Sequence, residues 1–465
     1  MNSKEYNFSF LLRISLVSAM GGLLFGYDWV VIGGAKPFYE RFFDIVSFAN
    51  LQAWAMSSAL IGCIIGAIIS GLISDKYGRK KALLGAAFLF TIASLGTGFA
   101  VNFGMFVCFR MLGGIGIGLA SALSPMYIAE IAPSEIRGRF VSLNQMTIVI
   151  GILLAQIINM LIADKVPDGA SDQMIAASWN GQMGWRWMFW ACGVPSVLFF
   201  LFTFFIPESP RWLLKAGKAK AAFPILEKIG GNVYAQQEVE SIKTSLNDLN
   251  EKVDFKTLFN PIYSLVLIIG IVVAVFQQWC GINVVFNYAE EIFAAAGYGV
   301  SDTLFNIVIT GSVNLVFTFV AMFTVDKWGR KKLMVFGSCG LALNYILLGS
   351  AFFFHLKGIA VLILVLTAIA IYAMSLAPIV WVILSEIFPN QIRGAAMALA
   401  TFALWVACFV LTYTFPLLNK SLGAAGTFWV YSGICLLGFI FILLKLPETK
   451  GKSLEKIEEI LLKKK

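Results

Sequence analysis

Long apolar stretches alternate with short polar loops along almost the whole chain. Twelve of them are long enough to cross a membrane as helices, because a span needs about 20 apolar residues. They lie at 10–34, 51–73, 82–101, 104–129, 139–163, 185–206, 261–296, 302–325, 333–354, 359–386, 394–417 and 425–446. The pattern predicts an all-α membrane protein with twelve transmembrane helices in two six-helix halves.

The polar segments outside the spans complete a four-part plan. It consists of an N-terminal half at 1–206, a cytoplasmic linker at 207–260, a C-terminal half at 261–446 and a cytoplasmic tail at 447–465. In the linker, Val239, Ile242, Leu246 and Leu249 recur at helical spacing. We expect short amphipathic helices that lie under the membrane domain, with a solvated linker as the alternative. The tail from Ser453 shows a similar pattern.

Composition and charge agree with this plan. Hydrophobic residues make up 59% of the chain and charged residues 13%, which excludes an ordinary soluble domain. The net charge of +9 raises the question of nucleic acid, but the basic residues lie in short loops and the tail, so we expect no nucleic-acid partner. The loops that follow odd-numbered spans hold only Lys36, Arg41, Lys165, Lys357 and Lys420. This asymmetry predicts that both termini are cytoplasmic.

Other classes of protein receive little support. The seven Cys lie in or beside apolar segments and are interpreted as packing residues, and with a single histidine, His355, we expect no metal site, no cofactor and no enzyme activity. Gly451-Lys452-Ser453 resembles part of a P-loop, but Leu446 occupies the position of the required glycine. The first apolar stretch is longer than the core of a cleavable signal peptide, and we expect none.

A seven-residue loop occurs once in each half. Asp75-Lys76-Tyr77-Gly78-Arg79-Lys80-Lys81 returns as Asp326-Lys327-Trp328-Gly329-Arg330-Lys331-Lys332. Basic loops orient any multi-span protein, but orientation does not explain a shared Asp, Gly and Arg in the same order. Duplicated halves are typical of secondary transporters.

Further charged residues repeat at the same ends of corresponding spans. Glu130 and Arg137 match Glu386 and Arg393, and Pro207-Glu208-Ser209-Pro210-Arg211 resembles Pro447-Glu448-Thr449-Lys450-Gly451. Ion pairs that form in only one conformation bias a two-state equilibrium, so these residues predict a cytoplasmic gate. Generic solubility of helix ends is the alternative. The candidate gate residues are Asp75, Arg79, Glu130, Arg137, Glu208, Arg211, Asp326, Arg330, Glu386 and Arg393.

An acid and a base lie inside two spans of the N-terminal half. Asp28 and Arg110 are at similar distances from the outer ends of the first and fourth helices, so they can pair. A titratable carboxylate beside an arginine within a membrane is a natural proton switch, and a static structural pair is the alternative.

Two adjacent amides, Gln277 and Gln278, lie where the seventh span is apolar on both sides. Buried amides must find hydrogen-bond partners, either in a ligand or in neighbouring helices. Gly281 and Asn283 can interrupt this helix, as broken helices do at transporter sites.

Together these motifs resemble the sugar porter family of the major facilitator superfamily. The resemblance runs over essentially the whole chain and implies alternating access around one monosaccharide site between the halves. It is carried by the two loops and by Gly26-Tyr27-Asp28, Arg110-Met111-Leu112-Gly113-Gly114, Pro207–Arg211, Gln277–Asn283 and Pro447–Gly451.

The resemblance also implies roles for individual residues. Hydrogen bonds to the sugar would come from Gln145, Gln277, Gln278, Asn283 and Asn314. Aromatic walls would come from Phe25, Tyr288, Trp381 and Trp405. Asp28 and Arg110 would couple transport to protons, since passive members of the family carry a neutral residue in place of this aspartate.

Some positions depart from the family pattern. Leu404 replaces the usual Gln or Asn, Ala377 replaces a Gly, and Asn287 precedes Tyr288 where relatives carry paired Tyr. Cys192 stands where a proton-coupled member has a further acid. These departures leave the identity of the sugar open.

The sequence therefore predicts a symporter that imports a pentose or hexose similar to D-xylose together with protons. We expect a monomer in the bacterial inner membrane, in contact with the lipid bilayer. A facilitative uniporter and a sugar sensor with a transporter fold are the alternatives.

Overall fold

The chain folds into helices, as the computed structural model shows. The structure describes residues 6–167, 169–248, 258, 260–389, 392–450, 452 and 461, without the side chains of residues 245–248 and 326. Its α-helices, numbered α1 to α17 in chain order, are Phe8–Phe42, Ala49–Tyr77, Arg79–Gly98, Phe103–Ile131, Arg137–Ile162, Asp172–Ala177, Trp185–Thr203, Pro210–Lys215, Ala219–Asp248, Ser264–Trp279, Ile282–Asn287, Ala289–Ala295, Val300–Trp328, Arg330–Phe353, Ile359–Met374, Leu376–Ile387 and Arg393–Lys445.

The predicted multi-span fold is confirmed. Within the described ranges, eleven helical segments are long and apolar enough to cross a membrane. The last of them, α17, spans 53 residues and is interrupted at Gly423, whose φ of 67° is not helical. The eleventh and twelfth spans are thus the two parts of α17, and the described part of the chain holds the predicted twelve spans.

The first and seventh spans differ from their predicted forms. α1 continues to Phe42, well beyond the predicted end at residue 34, so Lys36 lies inside a helix and is almost fully buried. The prediction placed Lys36 in an outer loop because a lysine normally ends an apolar stretch. The seventh span is divided into α10, α11 and α12, which separate at Gly281 and Tyr288.

Contacts group the chain into two compact units. The first contains Met1–Asp28, Ile61–Ile152 and Phe189–Lys252, and the second contains Trp29–Leu60, Leu153–Met188 and Val253–Lys465. The second unit thus joins one end of the first, second, fifth and sixth spans, the end away from the repeated loop, to the C-terminal spans. In the first unit α2 and α4 approach closely at Gly62. A Cβ at this position would collide with the backbone of Met111 and Ile115, so the absence of a side chain allows the close approach.

The predicted linker helices are present as α8 and α9. Ser209 caps α8 by accepting a hydrogen bond from the Trp212 N–H. α9 bends at Gly230 and Gly231, and its apolar residues pack on the first, fourth and fifth helices. This packing buries the following residues: Leu11, Ile128, Phe140, Leu226, Ile229, Tyr234 and Ala235. Leu249 and nearly all of the tail from Ser453 lie outside the described residues.

Candidate transport site

A buried ion pair lies in the middle of the N-terminal half. Arg110 Nη1 donates hydrogen bonds to Asp28 Oδ1 at 2.8 Å and Oδ2 at 2.9 Å. The side chains are only 4% and 9% exposed, and the guanidinium lies over the Phe189 ring. The structure therefore brings together the acid and base that the sequence placed at equal depth. Cys192 is fully buried and faces this pair, at the position where a further acid was considered.

The seventh span breaks beside the predicted amides. Gly281 has a φ of 85°, and a Cβ at this position would lie 2.9 Å from the Tyr431 ring. Glycine adopts this conformation without strain, so it permits the turn between α10 and α11. The break places Asn283 against Gln278, and Asn283 Nδ2 donates to Gln278 Oε1.

The two glutamines have different partners. Gln277 Nε2 donates to the carbonyl oxygens of Leu376 at 3.3 Å and Ala377 at 3.2 Å, where α15 gives way to α16. Gln277 Oε1 is buried without a hydrogen-bond partner among the described residues. The Gln277 amide nitrogen therefore links α10 to the junction of α15 and α16. Of this amide, only the oxygen is left for a ligand.

The predicted aromatic residues of the C-terminal half differ in burial and in their contacts. The Tyr288 hydroxyl donates to the Thr412 carbonyl oxygen at 2.8 Å, and its ring packs on Phe415. Trp405 is buried near Trp29, with ring centroids 6.3 Å apart, whereas Trp381 is 40% exposed.

The remaining predicted residues lie on three spans. Asn314 is buried in α13, and its backbone oxygen accepts a hydrogen bond from the Thr318 hydroxyl. In the first unit, Phe25 on α1 and Gln145 on α5 are partly buried.

Gln156 was not among the predicted residues. It is 2% exposed, and neither atom of its amide has a hydrogen-bond partner in the described part of the chain. It lies against Gly311 of α13, which has no side chain to separate the two helices. Gln156 follows Gln145 by three helical turns on α5, and that spacing was the signal available in the sequence.

In each repeated loop the arginine pairs with a glutamate of its own half. Arg79 binds both oxygens of Glu130, at 2.9 and 3.0 Å, and reaches Asp75 at 3.0 Å. In the C-terminal half, Arg330 pairs with Glu386 at 3.1 Å.

Two further candidate gate residues, Arg137 and Arg393, make equivalent contacts in the two halves. Arg137 and Arg393 donate to the carbonyl oxygens of Ala132 and Phe388, and Arg211 is exposed on α8. The side chain of Asp326 lies outside what the structure describes. Pairing between the halves stays a prediction.

Residues of both halves also meet within the second unit. Trp54 of α2 packs on Tyr413, with ring centroids 6.1 Å apart. The Val166 N–H donates to Ser301 Oγ at 3.0 Å. These contacts join α2 and the segment after α5 to the C-terminal half.

Comparison with known proteins shows where the chain belongs. A family model described as Sugar (and other) transporter matches residues 14–461. The chain belongs to this sugar transporter family. The predicted resemblance is thereby confirmed, and the family is one of transporters rather than enzymes.

Individual relatives are similar along nearly their whole length. The chain is 42% identical to the D-xylose-proton symporter of Escherichia coli K12, covering 98% of this chain and 96% of the relative. It is 38% identical to the arabinose-proton symporter of Bacillus subtilis, covering 99% and 97%.

The fold has a close counterpart among solved structures. An inward open conformation of the xylose transporter XylE from E. coli matches with a TM-score of 0.85 and 39% identity. The match covers 97% of this chain and 99% of that chain. The predicted major facilitator fold is confirmed.

Proposed function

We propose that this chain is a proton-coupled symporter that imports a pentose or hexose similar to D-xylose by alternating access. The buried Asp28–Arg110 pair carries the proposal, because ionisable residues inside a membrane are costly to bury and typically mark ion pathways. The relatives described as D-xylose-proton and arabinose-proton symporters support the same substrates.

The pair supplies a simple coupling step. In the structure Asp28 accepts two hydrogen bonds from Arg110, an arrangement that suits a carboxylate. A proton on the carboxyl removes its charge and weakens this attraction, so protonation frees Arg110. Coupling follows if the two forms favour different conformations.

We assign sugar binding to the amides and aromatic rings of both halves. Gln278, Asn283, Asn314 and the oxygen of Gln277 are the proposed polar contacts in the C-terminal half, and Gln145 is the proposed one in the N-terminal half. Hydroxyls at the rim of a sugar need such partners, and its C–H faces pack on aromatic rings. Phe25, Tyr288, Trp381 and Trp405 are the proposed rings.

Labelled D-xylose uptake into sealed vesicles tests the symport. A membrane potential of 100 mV contributes about 2.3 kcal/mol and one pH unit about 1.4, which together allow roughly 500-fold accumulation at one proton per sugar. A protonophore should abolish this accumulation. If steady-state accumulation is unchanged after uncoupling, symport is wrong; a chain that only equilibrates the sugar in both conditions is a uniporter.

Asp28→Asn separates coupling from transport. The variant keeps the shape of the side chain but cannot bind and release a proton. We expect sugar exchange across the membrane to continue while accumulation is lost and the pH dependence of exchange weakens. Accumulation equal to that of the parent would show that Asp28 is structural.

Gln278→Ala tests the placement of the sugar site. It should remove most of the affinity for D-xylose, because sugar hydroxyls lose a partner. Asn344→Ala, which truncates a buried amide outside the proposed site, is the matched control. Calorimetric binding that survives within a few-fold in Gln278→Ala contradicts the assignment.

We also propose a bacterial inner-membrane location, cytoplasmic termini and a monomer. The uneven distribution of Lys and Arg supports the orientation. Reporters that are active only in the cytoplasm, fused separately to each terminus, should both be active.

A further inference from the structure

A buried lysine binds three carboxylates near the outer end of the first span. Lys36 Nζ lies 2.9 Å from Glu40 Oε2, 2.7 Å from Glu291 Oε1 and 3.6 Å from Glu290 Oε2. Lys36 is only 2% exposed, and Glu40 is 3% exposed. We call these four residues the outer cluster.

The outer cluster has more negative than positive charge. With every group ionised, three carboxylates share one ammonium group. Gln52 Nε2 donates one further hydrogen bond to Glu40 Oε2, at 3.0 Å. Glu40 Oε1 and Glu291 Oε2 are nevertheless buried without a hydrogen-bond partner in the described part of the chain. A buried carboxylate in excess of its partners is costly when ionised, and binding a proton removes that cost.

Among the described residues, the other ionisable groups near the cluster do not balance this charge. Tyr39 and Tyr288 face the cluster, but their hydroxyls donate elsewhere, to Met56 Sδ and to the Thr412 carbonyl oxygen. Arg41, on the next turn of α1, pairs with Asp172 at 2.8 Å. The excess negative charge therefore stays within the cluster.

The cluster joins elements that belong to different halves. Lys36 and Glu40 lie on α1, whereas Glu290 and Glu291 lie on α12. α12 has only seven residues, and non-helical residues flank it: Tyr288 before it and Gly297, with a φ of 88°, after it. An exit to the outside between α1 and α12 requires Lys36 to separate from Glu290 and Glu291.

We propose that the outer cluster is a proton-binding site that holds the outer exit closed. The proton binds to a carboxylate oxygen of Glu40 or Glu291 while the elements are together. When they separate, Glu290 and Glu291 return to water and the proton leaves. This site is distinct from the Asp28–Arg110 pair, and it rests on alternating access in the proposed function.

The direction of the pH effect follows from linkage. The closed form binds the proton more tightly than the open form, so acid favours closure. As the pH rises, the closed form loses this stabilisation.

Distances between spin labels on the outer side test the proposal without measuring transport. Labels at Asn50→Cys and Leu356→Cys, both exposed positions of the second unit, report separation of the halves in a cysteine-free background. Asp28→Asn is included so that the mid-membrane carboxyl cannot respond. Changing from about pH 8 to about pH 5.5, a range that spans perturbed carboxyl titrations, should increase the short-distance population severalfold.

Substitutions in the cluster should change this response in defined ways. Glu290→Gln combined with Glu291→Gln should abolish it, and Glu291→Gln alone should reduce it if the double variant does not fold. Lys36→Met should open the outer side at about pH 8 and enlarge the acid response, because the three carboxylates lose their cation. Asp302→Asn, which removes an exposed carboxylate at the start of α13 in the same unit, is the control and should respond like the parent.

The opposite results overturn the proposal. These are an absent acid response in the parent, an undiminished response in the Glu290 and Glu291 variants, or an unchanged closed population in Lys36→Met. Because vesicle uptake is not the readout, a failure here leaves the proton-coupled symport to its own test.

Discussion

The two repeated loops share a backbone arrangement but differ in how their charges are buried. Glu208 accepts hydrogen bonds from the N–H groups of Arg79 and Lys80, and Glu448 accepts them from Arg330 and Lys331. In both copies a carboxylate from the end of the half holds the start of a helix, where anions are favoured. Duplication has kept this arrangement in each half.

The arginines of the two loops lie in different environments. The Arg79 and Glu130 side chains are 9% and 10% exposed, whereas those of Arg330 and Glu386 are 15% and 22% exposed. Ser209 also donates to Glu130, and Lys215 pairs with Asp75. Since a charge left without its partner costs more where water is excluded, loss of the N-terminal pair should destabilise its half more than loss of the C-terminal pair does.

Separate replacement of Arg79 and Arg330 by alanine should give the largest difference in stability between the two loops. Arg79→Ala leaves Glu130 buried without its partner and should cost about 3–5 kcal/mol, whereas Arg330→Ala should cost about half of that. Apparent melting temperatures of the purified variants in detergent measure the difference. Arg79→Lys should recover only part of the loss, because lysine cannot bind both carboxylate oxygens in the same way. Equal losses in both alanine variants would contradict the comparison.

Alanine at the loop glycines should affect both copies alike. Gly78 and Gly329 have φ of 96° and 91°, and a Cβ at either would approach the Glu208 or Glu448 carboxylate closely. Each substitution should cost about 1–3 kcal/mol from backbone strain, and the collision adds to this cost. Gly217→Ala, at a φ of 72° with open space around it, measures strain alone. A clear inequality between the two loop variants would show that the shared backbone arrangement is not equivalent.

Ser209 follows Glu208 and Thr449 follows Glu448. Removing these two hydroxyls should give a smaller difference in stability between the loops. Ser209 caps α8 and bonds Glu130, so Ser209→Ala should cost about 1 kcal/mol. Thr449 Oγ1 is buried without a partner among the described residues, so Thr449→Val should be close to neutral. Apparent melting temperatures of the two variants measure this difference. A larger decrease for Thr449→Val than for Ser209→Ala would contradict the prediction.

The loops explain which parts of the molecule could be predicted from the sequence. Their repetition identified the two halves, and the lengths of the apolar stretches gave the twelve helices. Both signals can be read from the sequence without knowing which residues meet in the fold. The depth of Asp28 and Arg110 along their helices was likewise enough to expect a contact. The partners of Arg79 were not assigned, since a repeat shows equivalent positions without showing which residues meet.

Lys36 and Gln277 show why other features could not be predicted. Lys36 was placed in an outer loop, because its burial depends on Glu290 and Glu291, which are distant in sequence. Gln277 was expected to bind sugar, but its amide nitrogen bonds the backbone where α15 ends, and that break has no strong signal in the sequence. Both depend on tertiary contacts.

The smallest expected effect concerns acid pH and the glutamate of the C-terminal loop. Burial tends to raise the pKa of Glu448, but hydrogen bonds from the N–H groups of Lys450, Arg330 and Lys331 outweigh it and hold the pKa below its ordinary value. Because the folded pKa is lowered, this stabilisation is present above the ordinary glutamate pKa of about 4.3 and is lost as the pH falls further. Glu448→Gln should therefore melt slightly below the parent at neutral pH, and the difference should shrink on acidification. A difference that stays constant down to the acid limit would show that the Glu448 charge contributes nothing to the C-terminal loop.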